Sequence, residues 1–229
     1  EPLPKYIPML FKAIENKTKN GLTVGLIFDG DCDRIAGMDG KATFLSSQVL
    51  IPILMEHLTK RRGMTGEVVK TLSGSDRMTE ADVLIGGEES GGIGYGHHIP
   101  ERDALLSALY LLEAVVQSGK DFGELNDSLR EQASFTAAYD RIDLPLANME
   151  VRAKLLEALQ SSTPTEVAGK QVDNCITVDG YKLNLEDDSW LLIRFSGTEP
   201  VLRLYSEAKS IERVHEILAW AKNWANSVG

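Results

Sequence analysis

Residues 22–34 read Leu-Thr-Val-Gly-Leu-Ile-Phe-Asp-Gly-Asp-Cys-Asp-Arg, an apolar run of strand length that stops abruptly at Asp29-Gly30. An unbroken apolar run is what a strand covered on both faces carries, the pattern of an α/β sheet. Directly after it stand Asp29, Asp31 and Asp33. Alternate residues of an extended segment point to one side, so the three carboxylates converge, and protonation or a cation must relieve their repulsion. A hard, oxygen-seeking Mg²⁺ is the natural occupant. The plain alternative is a solvated acidic turn, since Asp-Gly is turn chemistry. Its place beyond a buried strand, where the sites of α/β sheets gather, weighs against that. An EF-hand is excluded, because Arg34 replaces its required glycine and Gly40 stands where its bidentate glutamate belongs.

Outward from this stretch, Tyr6 to Lys17 has Ile7, Leu10, Phe11 and Ile14 at helical spacing. On the other side, Ser46 or Ser47 is placed to cap a helix running to about Arg62 and closed by Gly63. Glu67–Leu72 and Ala81–Ile85 read as strands. Arg102 to Gln117 reads as a helix with Leu105, Leu106, Leu109, Leu112 and Val116 on its buried side, and Phe122 to Gln132 as a second helix. The texture then changes. Residues 135–143, 170–178, 181–185, 190–195 and 201–207 read as short strands, with Asp179-Gly180 a hairpin turn between helices at Met149–Gln160 and Ile211–Asn226. The expected fold class is α/β: a mixed α/β domain followed by a smaller α+β domain with a largely antiparallel sheet.

Two further motifs follow strands. Gly86-Gly-Glu-Glu-Ser-Gly-Gly92 has glycines that let backbone approach a ligand, with Glu88 and Ser90 placed to offer an acceptor and a hydroxyl to a sugar. His97, His98, Glu101 and Arg102 come shortly after it. Arg194-Phe-Ser-Gly-Thr-Glu-Pro200, with Arg203 close behind, combines a planar guanidinium, the hydroxyls of Ser196 and Thr198, and a glycine, Gly197, that frees backbone N–H groups for an anion. It reads as a phosphate cradle; the alternative is a surface turn in which Arg194 pairs with an acid such as Glu199.

Composition narrows the classes. Among 229 residues, 24 Lys and Arg stand against 34 Asp and Glu, a formal net charge of −10, which argues against a nucleic-acid binder. The longest apolar stretches, such as Val49–Met55, are too short to span a membrane, and the first residues lack the features of a signal peptide. Cys32 and Cys175 are too few for a disulfide framework and fit a reducing compartment, so the expected location is cytoplasmic. The missing initiator methionine allows the true N-terminus to lie upstream.

Taken in order, the three motifs resemble those of the α-D-phosphohexomutases, in the phosphoglucomutase/phosphomannomutase branch. In that family a DGDxDR loop binds Mg²⁺, a GEESGG-like loop contacts sugar hydroxyls and an RxSGTEP loop holds the substrate's non-transferred phosphate. The resemblance implies metal ligands at Asp29, Asp31 and Asp33, a catalytic role for Arg34, the arginine beside them, and sugar contacts at Glu88 and Ser90. It implies phosphate contacts at Arg194, Ser196, Gly197 and Thr198, with Arg203 nearby. It also implies a hexose phosphate substrate, of glucose or mannose, and no nucleic-acid or membrane partner. Family members have four domains and carry a catalytic serine in a Ser-His-Asn-Pro setting, whereas this sequence has no Ser-His pair. Residues 1–41 are therefore expected to be the tail of a second domain, 42–132 a third and 135–229 a fourth, with the preceding domains missing and the chain inactive by itself. Two alternatives remain. A haloacid dehalogenase-type phosphatase also opens on a strand followed by Asp-x-Asp, but there the fourth residue after the first Asp is usually Thr or Val, and here it is Asp33. The other is a non-catalytic fragment that binds metal and sugar phosphate.

A shortfall is expected near Ser75–Arg77. Only Ser73 to Glu80 separate two strands expected in one α/β sheet, and a parallel crossover needs about a dozen residues or more. The resemblance implies a helix, a strand and a specificity loop in this place; an antiparallel hairpin is the alternative.

Overall fold

The apolar run that ends at Asp29 folds as strand β1 (Gly25–Phe28), and the chain turns straight back along it. β2 (Ile35–Met38) pairs antiparallel with β1, Phe28 opposite Ile35, and β3 (Phe44–Leu45) extends the same small sheet. In this computed structural model, which describes residues 2–17, 21–70, 83–133, 137–197 and 199–228, the chain divides into two units, Glu1–Ser134 and Phe135–Gly229. β1 is covered on both faces, as its sequence predicts. Ile27 packs with Ile14 of helix α1 (Pro8–Glu15), Ala36 and Met38, while Leu26 and Phe28 join the larger core of the first unit. The strand beside it runs antiparallel, so this sheet is not the parallel α/β sheet expected.

The larger core is shared with helix α2 (Ser47–Glu56), which continues as a π-helical turn, His57–Arg61, and closes at Gly63 in a left-handed conformation, φ 64°. Ser46 occupies the N-cap position without a side-chain cap bond. β4 (Glu67–Lys70) and β5 (Val83–Gly87) run parallel, so the hairpin alternative is excluded, and β6 (Ile93–Tyr95) completes the sheet antiparallel to β5. The expected shortfall near Ser75–Arg77 lies outside the described residues.

Helix α3 (Ala104–Ser118) corrects the expected burial. Its inner side is Ala104, Ser107, Ala108, Tyr110, Leu111, Ala114 and Val115. Leu105, Leu109, Leu112 and Val116 are 57%, 64%, 38% and 78% exposed. A helix apolar all round offers two stripes, and the one with small residues packs closest to the sheet. α4 (Phe122–Ala133) follows and buries Phe122 and Leu125.

The second unit is a six-stranded, wholly antiparallel sheet in the order β7-β12-β11-β10-β9-β8. Its strands are β7 (Ala138–Pro145), β8 (Glu166–Val167), β9 (Lys170–Ile176), β10 (Tyr181–Leu185), β11 (Trp190–Phe195) and β12 (Val201–Ala208). Period-two positions Leu183, Leu185, Leu191, Ile193, Leu202 and Leu204 form a core with α5 (Met149–Ser161) and α6 (Ile211–Val228), whose stripe Val214, Ile217, Leu218 and Ala221 is buried. Among the described residues no helix is long and apolar enough to cross a membrane.

Candidate functional site

The acidic loop is the connection of the β1–β2 hairpin. Asp29 N–H donates to Arg34 O at 3.3 Å, Cys32 N–H to Asp29 O at 3.3 Å, and Cys32 takes the left-handed conformation, φ 59°. This turn, and not the alternation of an extended segment, gathers one oxygen each from Asp29, Asp31 and Asp33 within 4.8 Å of one another. Arg34 is folded back over them. Its N–H donates to Asp29 Oδ1 at 3.0 Å, and its Nε stands 2.7 Å from Asp29 Oδ2 and 3.3 Å from Asp33 Oδ1. Burial works to raise the Asp29 carboxyl, but the Arg34 N–H and its guanidinium hold it below the usual range; burial and the neighbouring Asp29 push Asp33 up. Asp29 Oδ2 is buried without a well-formed hydrogen bond. A cluster of three carboxylates that can each offer one hard oxygen within 4.8 Å of the others fits a divalent cation such as Mg²⁺.

The glycine-rich loop is stitched to the acidic one by backbone. Glu88 N–H donates to Gly92 O at 2.8 Å and Gly91 N–H to Glu88 O at 3.1 Å, closing a tight turn. Arg34 and Gly92 form an antiparallel bridge, and Ile35 N–H donates to Gly91 O at 3.0 Å. Gly91 has φ 103°, and a Cβ on it would meet Ile35 O at 2.6 Å, so no other residue fits. Ser90 Oγ donates to Glu88 Oε2 at 3.0 Å, which orients the two expected sugar contacts together.

Asp29, Asp31, Asp33, Arg34, Glu88 and Ser90 therefore share one neighbourhood, with one site residue that the sequence reading left unassigned. Arg102 pairs with Asp33 through Nη2 and with Glu88 Oε2 through Nη1 at 3.4 Å, joining the two loops by its side chain. Its signal in the sequence was its place just before the α3 N-cap, Asp103, where the chain returns to the loops: Ala104 N–H donates to Cys32 O at 3.2 Å. The two histidines have other partners. His97 Nε2 lies 2.9 Å from Tyr110 Oη, and His98 Nε2 lies 2.9 Å from Asp103 Oδ2.

In the second unit the expected phosphate loop connects β11 and β12. Arg194 and Arg203 are direct cross-strand partners, an arrangement that costs energy unless an anion or acid offsets it. Arg194 Nε pairs with Asp179 Oδ2 at 3.0 Å, so its acid is the one at the Asp179-Gly180 turn and not Glu199. Arg203 Nε is buried without a hydrogen bond among the described residues. Ser196 N–H donates to Val201 O at 3.0 Å, its Oγ accepts from Glu199 N–H at 3.3 Å, and its carbonyl accepts from Arg152 Nε at 3.2 Å. A Cβ on Gly197 would have nothing within 4 Å, and Thr198 lies outside the described residues.

Residues 74–132 match the family model for phosphoglucomutase/phosphomannomutase, alpha/beta/alpha domain III, and residues 146–220 match that for phosphoglucomutase/phosphomannomutase, C-terminal domain. A probable phosphoglucosamine mutase of Methanothermobacter thermautotrophicus is 26% identical over 246 residues, covering 100% of this chain and 52% of the relative. A phosphoglucomutase/phosphomannomutase of Thermococcus kodakarensis is 29% identical, over 86% of this chain and 46% of the relative. Among solved structures, one described provisionally as a phosphomannomutase of Thermus thermophilus superposes with a TM-score of 0.76 at 29% identity, over 99% of this chain and 51% of that one. The chain spans about half the length of the curated relatives it matches. The alignment of 246 residues is longer than the 229 of this chain, so that relative carries residues with no counterpart here.

Proposed function

Because the chain belongs to the phosphoglucomutase/phosphomannomutase family, with its third and C-terminal domains both matched, we propose that it is the C-terminal half of a phosphohexomutase that interconverts hexose 1-phosphate and hexose 6-phosphate. The family match removes the dehalogenase-type reading. Residues 1–41 are assigned to the end of a preceding domain, 42–132 to the third and 135–229 to the fourth. The relatives described as phosphoglucosamine mutases add glucosamine phosphate to glucose and mannose phosphate as candidate substrates.

The observation that carries this reading is the Arg34–Gly92 backbone bridge, which fixes a cation-accepting loop beside a loop carrying Glu88 and Ser90. Asp29, Asp31 and Asp33 would hold Mg²⁺, which when bound offsets charge on a phosphoryl group in transfer. Glu88 and Ser90 orient sugar hydroxyls, and Arg34 and Arg102 keep the acidic loop in shape. Arg194, Ser196, Gly197 and Thr198, with Arg203, bind the phosphate that is not being transferred. In the complete enzyme a phosphoserine outside this chain gives its phosphoryl group to the free hydroxyl of the hexose phosphate. The 1,6-bisphosphate turns over, and its other phosphoryl group returns to the serine. Positioning supplies much of the rate.

The test is turnover of glucose 1-phosphate by this chain extended with the upstream part of its gene. Activity that is lost in Asp31→Asn and Arg194→Ala supports the reading. Turnover by the pure 229-residue chain, or activity unaffected by both substitutions, overturns it.

A further inference from the structure

Arg152 stands in the opening turns of α5, whose start is fixed by Asn148: its Oδ1 accepts from the N–H groups of Glu150 and Val151, both at 3.0 Å. From there the guanidinium lies 5.5 Å from the centroid of the Phe195 ring and donates through Nε to the Ser196 carbonyl at 3.2 Å. Among the described residues no carboxylate pairs with Arg152.

The consequence for the loop is geometric. In a planar trans peptide the carbonyl and the N–H that follows it point in opposite directions. Holding Ser196 O toward Arg152 therefore directs Gly197 N–H away from it. Among the described residues nothing else is seen to restrain that peptide from the glycine side, since glycine is conformationally free and, its chain neighbours aside, no atom stands within 4 Å of the position its Cβ would take. Ser196 itself is anchored at its N–H by Val201 O, so a swing of the planar Ser196–Gly197 peptide about ψ of Ser196 and φ of Gly197 is the freedom left for Arg152 to remove.

We propose that Arg152 is a positioning residue for the phosphate loop: its bond to the Ser196 carbonyl locks the Ser196–Gly197 peptide so that the Gly197 N–H faces the bound anion. The inference rests on the reading of Arg194, Ser196 and Gly197 as part of a phosphate site. It makes Arg152 more than a staple between α5 and the sheet, because the lock bears on anion affinity and not chiefly on stability.

The experiment is calorimetric titration of the whole chain with glucose 1-phosphate and with inorganic phosphate, for the parent, Arg152→Met, Arg152→Lys and Arg194→Met, with the Gly197 amide followed by NMR. Arg152→Met keeps the apolar stem against Phe195 and removes the donor, so phosphate binding is expected to weaken about tenfold, the worth of one well-placed hydrogen bond. The Gly197 amide resonance is expected to move on phosphate addition in the parent and in Arg152→Lys, and to move less at saturating phosphate in Arg152→Met. Binding and amide response in Arg152→Met equal to the parent, with binding lost in Arg194→Met, would overturn the role of Arg152 and leave the phosphate site standing. Parent-like binding in Arg194→Met as well would overturn the phosphate reading itself. If Arg152→Met fails to fold, Arg152→Lys decides: a folded Lys variant whose Gly197 amide ignores phosphate contradicts the rescue that the lock requires.

Discussion

Gly92 lies so close beneath Arg102 that a Cβ on it would stand 2.4 Å from the arginine's Cδ, which makes this glycine the floor on which the Asp33–Arg102–Glu88 link rests. Gly92→Ala should destabilise the chain by about 1–3 kcal/mol through overpacking. The cost should largely vanish when Arg102→Ala is added, since the clash is with that side chain. Denaturant unfolding of the two single variants and the double variant measures the coupling. An equal cost of Gly92→Ala in both backgrounds would show that the clash lies elsewhere.

Asp31 is the exposed member of the three carboxylates that gather within 4.8 Å, and neither arginine of the site pairs with it. Its replacement by Asn should therefore leave the hairpin intact and lower Mg²⁺ affinity by about tenfold or more. Titration calorimetry beside circular dichroism separates the two effects. Equal Mg²⁺ binding by the parent and the variant would remove the metal assignment.

The exposed stripe of α3 gives a stability contrast between neighbours. Leu109, 64% exposed, should tolerate Ser with a change of about 0.5 kcal/mol or less. Leu111, fully buried, should lose about 2–5 kcal/mol on replacement by Ala. Similar losses at both positions, read from urea melts, would mean that the outer stripe is covered in solution.

Acid should loosen the first unit through Glu113. Buried His57 and exposed Arg62 both reach Glu113 Oε2 at 2.9 Å, and the His57 bond, with burial opposing and Arg62 assisting, holds this carboxyl below its ordinary range. A carboxyl depressed on folding contributes stability above its unfolded value of about 4.3 and loses it as pH falls through the lower folded value. Thermal melts across the acid range should fall more steeply for the parent than for Glu113→Gln, which at neutral pH should already have lost about 1 kcal/mol, kept small by solvent screening. Parallel pH profiles would contradict this.

The second unit was largely legible because its strands alternate. Leu202 and Leu204 of β12 and Leu191 and Ile193 of β11 are the inward positions that period two selects, and the α6 stripe is narrow enough to name its own buried side. The first unit was less so. α3 is apolar on every side, so spacing alone chose the leucines, while close packing selected Ala104, Ser107, Ala108 and Leu111. β2 and β6 went unread because four residues after a turn, or Ile93-Gly-Tyr95, are too few to show a period. At the acidic loop the residue types suggested a cation, and the convergence on which that expectation rests comes from a hairpin turn with a left-handed Cys32, which alternation does not describe. Arg102 was missed because a pairing between Asp33, Glu88 and a residue beyond both loops exists only once the chain has folded.

Binding of a sugar ester's phosphate at the β11–β12 loop is decided by titration of the chain with glucose 1-phosphate and with glucose, for the parent and Arg194→Met. Arg194 faces Arg203 across the ladder, and truncating one partner of a charge-assisted contact typically costs about 2–5 kcal/mol. The ester is expected to bind, glucose not to bind measurably, and Arg194→Met to lose the ester. Equal binding of the ester by the parent and the variant, or binding of glucose as well as of its phosphate, would contradict it.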